Sequence, residues 1–200
     1  MLIFIFILNL AISAWNAFAC GKAWAETKSA GGWQHFMNWM GAIMSATGFS
    51  WCYLIALVFG AHSLGFLNEK YMVFSFEVGY VLLVPGLLFS GLMITIDSWA
   101  VAYRNGGVLN YGVAAYNTFA QVHNTMSAIE GFGPAIKGIF EVLGPKAESD
   151  DDDAPNVFIA FMLVVIALGA GALTTAAIIT TVAGSQPLLS MDEMRQRQAA

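Results

Sequence analysis

Asn9, Ser13, Asn16 and Cys20 recur at i, i+4, i+7 and i+11 in an otherwise apolar run, which puts them on one face of a helix. Amide and hydroxyl side chains in an apolar medium need hydrogen-bond partners, so that face turns to protein or to water, not to lipid. Hydrogen bonding between helices is the plainer use of such a face. Lining a pore or substrate path is the sharper one. Glu77 is the second candidate, because an acid inside a membrane helix is functional by default. If its span begins at Met72, Glu77 lies about 7.5 Å deep at 1.5 Å per residue. If the span begins at Val78, Glu77 is interfacial. Asp97 and Arg104 are seven residues apart and share a face if the helix continues, so they are candidates for an ion pair at the membrane boundary.

Gly41, Ser45, Gly48, Cys52, Ala56 and Gly60 form a small-residue stripe. Such a stripe lets a second helix backbone approach closely and reads as a packing seam. Cys20 and Cys52 fall at different depths of their helices, so a disulfide between them is not expected. His35, His62 and His123 have no second His, Cys or carboxylate at i+3 or i+4. No metal or cofactor site is expected from them; Glu69 is the acid nearest to His62 along the chain. The acidic run 148–153 lacks the glycine turn and spaced ligands of a calcium loop, and reads as a solvated linker. No nucleophile motif, phosphate loop or dinucleotide fingerprint occurs, and no catalytic residue is assigned.

The elements that position these residues follow from composition. The chain of 200 residues is 58% hydrophobic and 10% charged. A soluble domain carries about a quarter charged residues. Disorder and a disulfide scaffold are excluded by 15 Phe, 6 Trp, 6 Tyr and only 2 Cys. Lys and Arg number 8 and are scattered, so nucleic acid has no electrostatic footing as a partner. The expected class is an all-α, polytopic membrane protein, multi-pass in the bilayer.

A membrane helix needs about 20 mostly apolar residues, and stretches 1–20, 40–65, 72–96 and 157–183 qualify. The first reads as an uncleaved anchor, since no basic residue precedes it. Ala17-Phe18-Ala19 offers a cleaved signal as the alternative. The third has Pro85-Gly86 in its middle and is expected to kink. Trp33, Phe36 and Trp39 before the second span, and Trp99 and Tyr103 after the third, read as interfacial belts.

Residues 97–147 are expected outside the membrane, as amphipathic helices between spans three and four. Tyr111, Ala115, Phe119, Val122, Met126 and Ile129 form an apolar stripe, with Asn117, Gln121, Asn124 and Thr125 opposite. Gly131, Gly133 and Pro134 are expected to end the first helix, and Ile136, Ile139, Phe140 and Leu143 to face a second. The stripe lacks a lysine-rich opposite face, so packing against protein is expected rather than free lying on a membrane surface. An acidic linker, 148–156, and a polar tail, 184–200, complete the chain.

With four spans the termini share a side. Lys22 and Lys28 favour the first loop inside and both termini outside, while Arg195 and Arg197 in the tail argue for the opposite orientation. Gly169 and Gly171 with Thr174 and Thr175 make the fourth span a second small-residue seam, and a four-helix bundle with seams on two helices and a polar stripe on a third has more contact surface than it buries alone. Its expected partners are the lipid bilayer and other membrane subunits or copies of itself. The expected function is a non-enzymatic structural or accessory subunit of a larger membrane assembly. The alternative is a small homo-oligomeric channel or transporter with Asn9, Asn16 and Glu77 along its path.

Overall fold

The computed structural model describes residues 2–26, 31–144 and 153–185, and the backbone there is helix joined by short turns. The helices are α1 (Leu2–Glu26), α2 (Trp33–Ser63), α3 (Glu69–Asn105), α4 (Val108–Leu143) and α5 (Asp153–Ser185). No strand occurs among the described residues. Three helices, α2, α3 and α5, are long and apolar enough to cross a membrane.

Each turn has a local cause. After α2, Gly65 takes a positive φ of 77°, and Leu67 O accepts from His62 Nδ1 at 2.8 Å. A carbonyl oxygen only accepts, so the proton is on Nδ1. The histidine is thus engaged with backbone rather than with Glu69. Asn68 then caps α3 by accepting from the Tyr71 amide. Gly106 and Gly107, both at positive φ, reverse the chain between α3 and α4.

Several boundaries differ from the sequence expectation. α3 runs unbroken through Pro85 and on to Asn105, so residues 97–105 continue the third span's helix. α4 is one helix of 36 residues, with Pro134 inside it. The break expected at 131–134 does not occur. An interior proline costs about 3 kcal/mol, but here α4 is held on both sides of it. The Tyr80 ring packs where Gly131 has no side chain, and Glu77 does so at Gly138. The acidic linker is also shorter than expected, because α5 begins at Asp153. Residues 148–152 and the tail 186–200, with the capping spacing of Ser190 and Glu193, lie outside the described residues.

Contacts fix the directions. Asn9 meets Gly48 and Cys52 while Cys20 meets Asn38, so α1 and α2 are antiparallel. α3 runs against α2, with Gly79 at Leu54 and Ser90 at Met44. α5 also runs against α2, with Leu168 at Ser50 and Thr175 at Ser45. α3 and α5 are therefore parallel. α4 returns along α3, Thr118 beside Trp99 and Ser127 beside Tyr80. α2 is the central helix, touching α1, α3 and α5, and α4 lies against α3 alone. A buried apolar cluster lies around the α2–α3 turn, where Leu54, Val58, Leu67, Tyr71 and Phe74 meet Val164 of α5.

The apolar stripe of α4 is turned away from the rest of the bundle except at Tyr111, whose ring meets Trp99 and Tyr103 of α3. Tyr111, Phe119, Val122, Met126 and Ile129 are all exposed, and the polar face lies against α3. Gln121 Nε2 donates to Leu88 O at 3.0 Å, and Thr118 Oγ1 accepts from Trp99 Nε1 at 2.9 Å. α3 offers these groups hydrogen-bond partners, and that decides which face turns in.

Candidate functional site

The polar face of α1 meets the small-residue stripe of α2, and α5 closes on both. Ser13 Oγ donates to Asn9 O at 2.8 Å, and Ser45 Oγ donates to Ser13 O at 2.8 Å. The Ser45 proton is then committed. In its 3.2 Å contact with Thr175 Oγ1 the threonine must be the donor. Asn9 Nδ2 reaches Gly48 O at 3.4 Å and Cys52 Sγ at 3.3 Å. Further along, the buried Cys20 thiol points to Asn38 O, 3.7 Å away. The two thiols sit in separate contacts and are free. Ser45, Ser13 and Thr175 are buried, and among the described residues no buried side-chain nitrogen or oxygen lacks a partner.

The α2 seam is used over part of its length. Gly41 packs under the Cys20 sulfur and Gly48 under the Ser13 hydroxyl, so neither position has room for a side chain. Ser45 and Cys52 are buried in the same contact. Ala56 and Gly60 are exposed, and a Cβ at Gly60 would meet nothing. On the opposite flank, Gly171 of α5 lies against the Ala46–Ser50 turn of α2. A Cβ there would stand 2.8 Å from Ala46 O. Tyr53 and Thr174 hydroxyls add a 3.0 Å bond across the same helix pair.

The sequence candidates for a path do not share one space. Asn9 lines a cleft of about 260 Å³ together with Thr47, Tyr80 and Asn124. Asn16 is half-buried two turns along α1 and makes no hydrogen bond to the described residues. Glu77 is half-buried on the α3–α4 contact, where the missing side chain of Gly138 leaves room for its carboxylate. Neither Asn16 nor Glu77 lines the cleft.

Asp97 and Arg104 are not brought together either. Asp97 Oδ1 accepts from Trp33 Nε1 at 2.7 Å, tying the start of α2 to the end of α3. Trp24 stacks edge-on against Trp39, and Trp99 against Tyr111, at this same end of the bundle. Among the described residues no three His, Cys, Asp or Glu side chains come close enough to hold a metal ion.

Sequence spacing missed several partners. Thr175 is one of several threonines of its span, and only the α2–α5 crossing selects it. Tyr80 and Thr47 carry no polar periodicity, and they enter the cleft through tertiary packing alone. Gln121 was visible as part of a polar face, but its acceptor is a carbonyl of α3, which no pattern can name.

Between α2 and α5 a second, apolar cleft of about 480 Å³ is lined by Ala42, Ala46, Ala172 and Ala176 together with Trp24 and Trp39. Comparison with known protein families, with characterised proteins and with solved structures finds no match for this chain.

Proposed function

We propose that this chain is a non-enzymatic, multi-pass membrane protein that acts as a structural or accessory subunit of a larger membrane assembly. α2, α3 and α5 cross the bilayer, and α1 crosses with them as an uncleaved anchor. Ser13, Ala17 and Cys20 of α1 are buried in the bundle, which supports retention of that helix. The observation that carries the reading is the Asn9–Ser13–Ser45–Thr175 seam. Of the residues that would have to serve a path, Asn9 is engaged in this seam, and Asn16 and Glu77 lie apart from it and from each other. The alanine-lined cleft between α2 and α5 supports a further helix neighbour, since small residues allow close backbone approach.

The test is mild solubilisation of a tagged chain, with native mass determination and identification of what co-purifies. Foreign chains in stoichiometric amount are the expected result. A clean homo-oligomer would favour the second reading, a small channel or transporter. That reading has one observation in its favour: Asn9, Thr47, Tyr80 and Asn124 converge on one cleft. Loss of flux through reconstituted vesicles on Glu77→Gln would establish it against the scaffold.

A further inference from the structure

We infer that α4 is itself a membrane crossing, with its Phe119–Val122–Met126–Ile129 face in contact with lipid acyl chains. Leu2, at the start of α1, and Ser185, at the end of α5, then lie on opposite sides of the membrane. The inference rests on the reading that α3 and α5 span the bilayer.

The first argument is topological. α3 and α5 both run against α2, so they cross in the same direction. The chain must return between the end of one and the start of the other. α4 has 36 residues, about 54 Å of helix, and it runs back along α3. No other described segment lies between them.

The second argument is charge. Residues 108–129 contain no Asp, Glu, Lys or Arg, a length of about 33 Å. Residues 78–96 of α3 are likewise free of charge, about 28 Å. The two stretches lie side by side, since Tyr80 bonds Ser127 O and Thr95 bonds Asn117 O. Both lengths match the bilayer hydrocarbon, about 30 Å thick. The charges of α4, Glu130, Lys137 and Glu141, all come after the uncharged stretch. At the other end Tyr111 of α4 joins Trp99 and Tyr103 of α3 in one aromatic cluster, which suits an interface.

The third argument is polarity. In water a helix of this composition would turn its apolar stripe to the protein. α4 turns Thr118 and Gln121 to α3 and leaves Phe119 72% and Ile129 75% exposed. Against lipid this is the favourable arrangement, because each intramembrane polar group needs a protein partner and each apolar one does not. His123 is the exposed polar side chain next to this face, and its ring lies parallel to that of Phe119, 6.5 Å between ring centroids.

The test places single cysteines in the full chain at Leu64→Cys, Asn105→Cys and Glu141→Cys. The wild-type chain, whose two cysteines are buried, gives the blank. Sealed vesicles from expressing cells are treated with a membrane-impermeant maleimide before and after permeabilisation. The expected result is that Leu64→Cys and Glu141→Cys react from one side and Asn105→Cys only from the other. If Glu141→Cys and Asn105→Cys react from the same side, α4 does not cross, and the membrane reading of the other helices stands. If the chain fails to float with the vesicles, both readings fall. A spin label at Phe119→Cys decides the occupant. Lipid contact gives fast relaxation by oxygen and loss of relaxation by a water-soluble nickel chelate. Relaxation by the chelate, or by neither reagent, overturns the lipid surface.

Discussion

At the residue scale, the seam is a set of hydroxyl donors: Thr175 to the Ser45 hydroxyl, Ser45 to the Ser13 carbonyl, and Ser13 to the Asn9 carbonyl. Ser45 links all three helices, donating to Ser13 O on α1 and accepting from Thr175 on α5. Ser45→Ala leaves Ser13 O without that donor and Thr175 without that acceptor. Hydrogen bonds between membrane helices average about 0.6 kcal/mol and reach about 1.7 kcal/mol in coupling measurements. The expected loss of unfolding free energy in bicelles is within that range for Ser45→Ala. The double variant with Thr175→Ala should cost less than the sum of the single ones, since each single change removes the same bond. Strict additivity would show that the contact contributes nothing. Trp33→Phe removes the indole donor from Asp97 at the exposed end of α2, where such a bond contributes little. A change below about 0.5 kcal/mol is expected there. The stripe on α1 was legible because an amide every one or two turns in an apolar run has few explanations. Its partners were not legible, because which helix comes to meet it is decided by α2 and α5. The expected Asp97–Arg104 pair failed for a related reason. Spacing put the two on one face of α3, and a tryptophan from another helix was nearer to the acid.

At the element scale, glycines that look alike in sequence have opposite roles. Gly169 and Gly171 are two residues apart on α5, and they face different surroundings. A Cβ at Gly169 meets nothing within 4 Å, whereas one at Gly171 collides with the backbone of α2 at Ala46 and Ser50. Gly171→Val should therefore push α5 off α2 and cost about 1–3 kcal/mol, the usual range for overpacking. Gly169→Ala should be neutral or stabilise by up to about 1 kcal/mol, through the higher helix propensity of alanine. Thermal unfolding of both variants in one detergent checks the pair, and equal destabilisation would refute the close crossing. The second span's stripe was readable as a seam, and Gly41 to Cys52 serve as one. The stripe runs past its use at Ala56 and Gly60, because a pattern on one helix does not record where its neighbour ends. α4 was the hardest element to read. Asn117, Gln121 and Asn124 dilute its hydropathy, and Gly131, Gly133 and Pro134 imitate a terminus. Only the partners on α3 show why the polar face turns inward and why the helix continues.

At the scale of the whole molecule, cohesion is uneven. α2 is enclosed by α1, α3 and α5, while α4 is backed by α3 alone. Local opening follows the number of neighbours an element must leave, so sub-global unfolding should begin where only one contact has to part. Opening α4 breaks the Gln121–Leu88, Thr118–Trp99 and Tyr80–Ser127 bonds and leaves the Asn9–Ser13–Ser45–Thr175 seam intact. Hydrogen exchange of the isolated chain in detergent should therefore show α4 amides exchanging ahead of those in the middle of α2. The α3 amides between them should keep their protection, because α2 still covers their other face. Equal protection of α4 and α2 would overturn this order. It would mean that the exposed face of α4 is covered by something the purified chain brings with it, a second copy or tightly held lipid. Dilution at constant detergent separates those two. A covering copy is lost as protein concentration falls, and α4 then exchanges faster. Bound lipid is held until the detergent is exchanged. For the proposed role in an assembly the order matters, because the helix that opens most readily alone has most to gain from a partner. A partner that covered α4 would slow exchange there first and leave α2 almost unchanged.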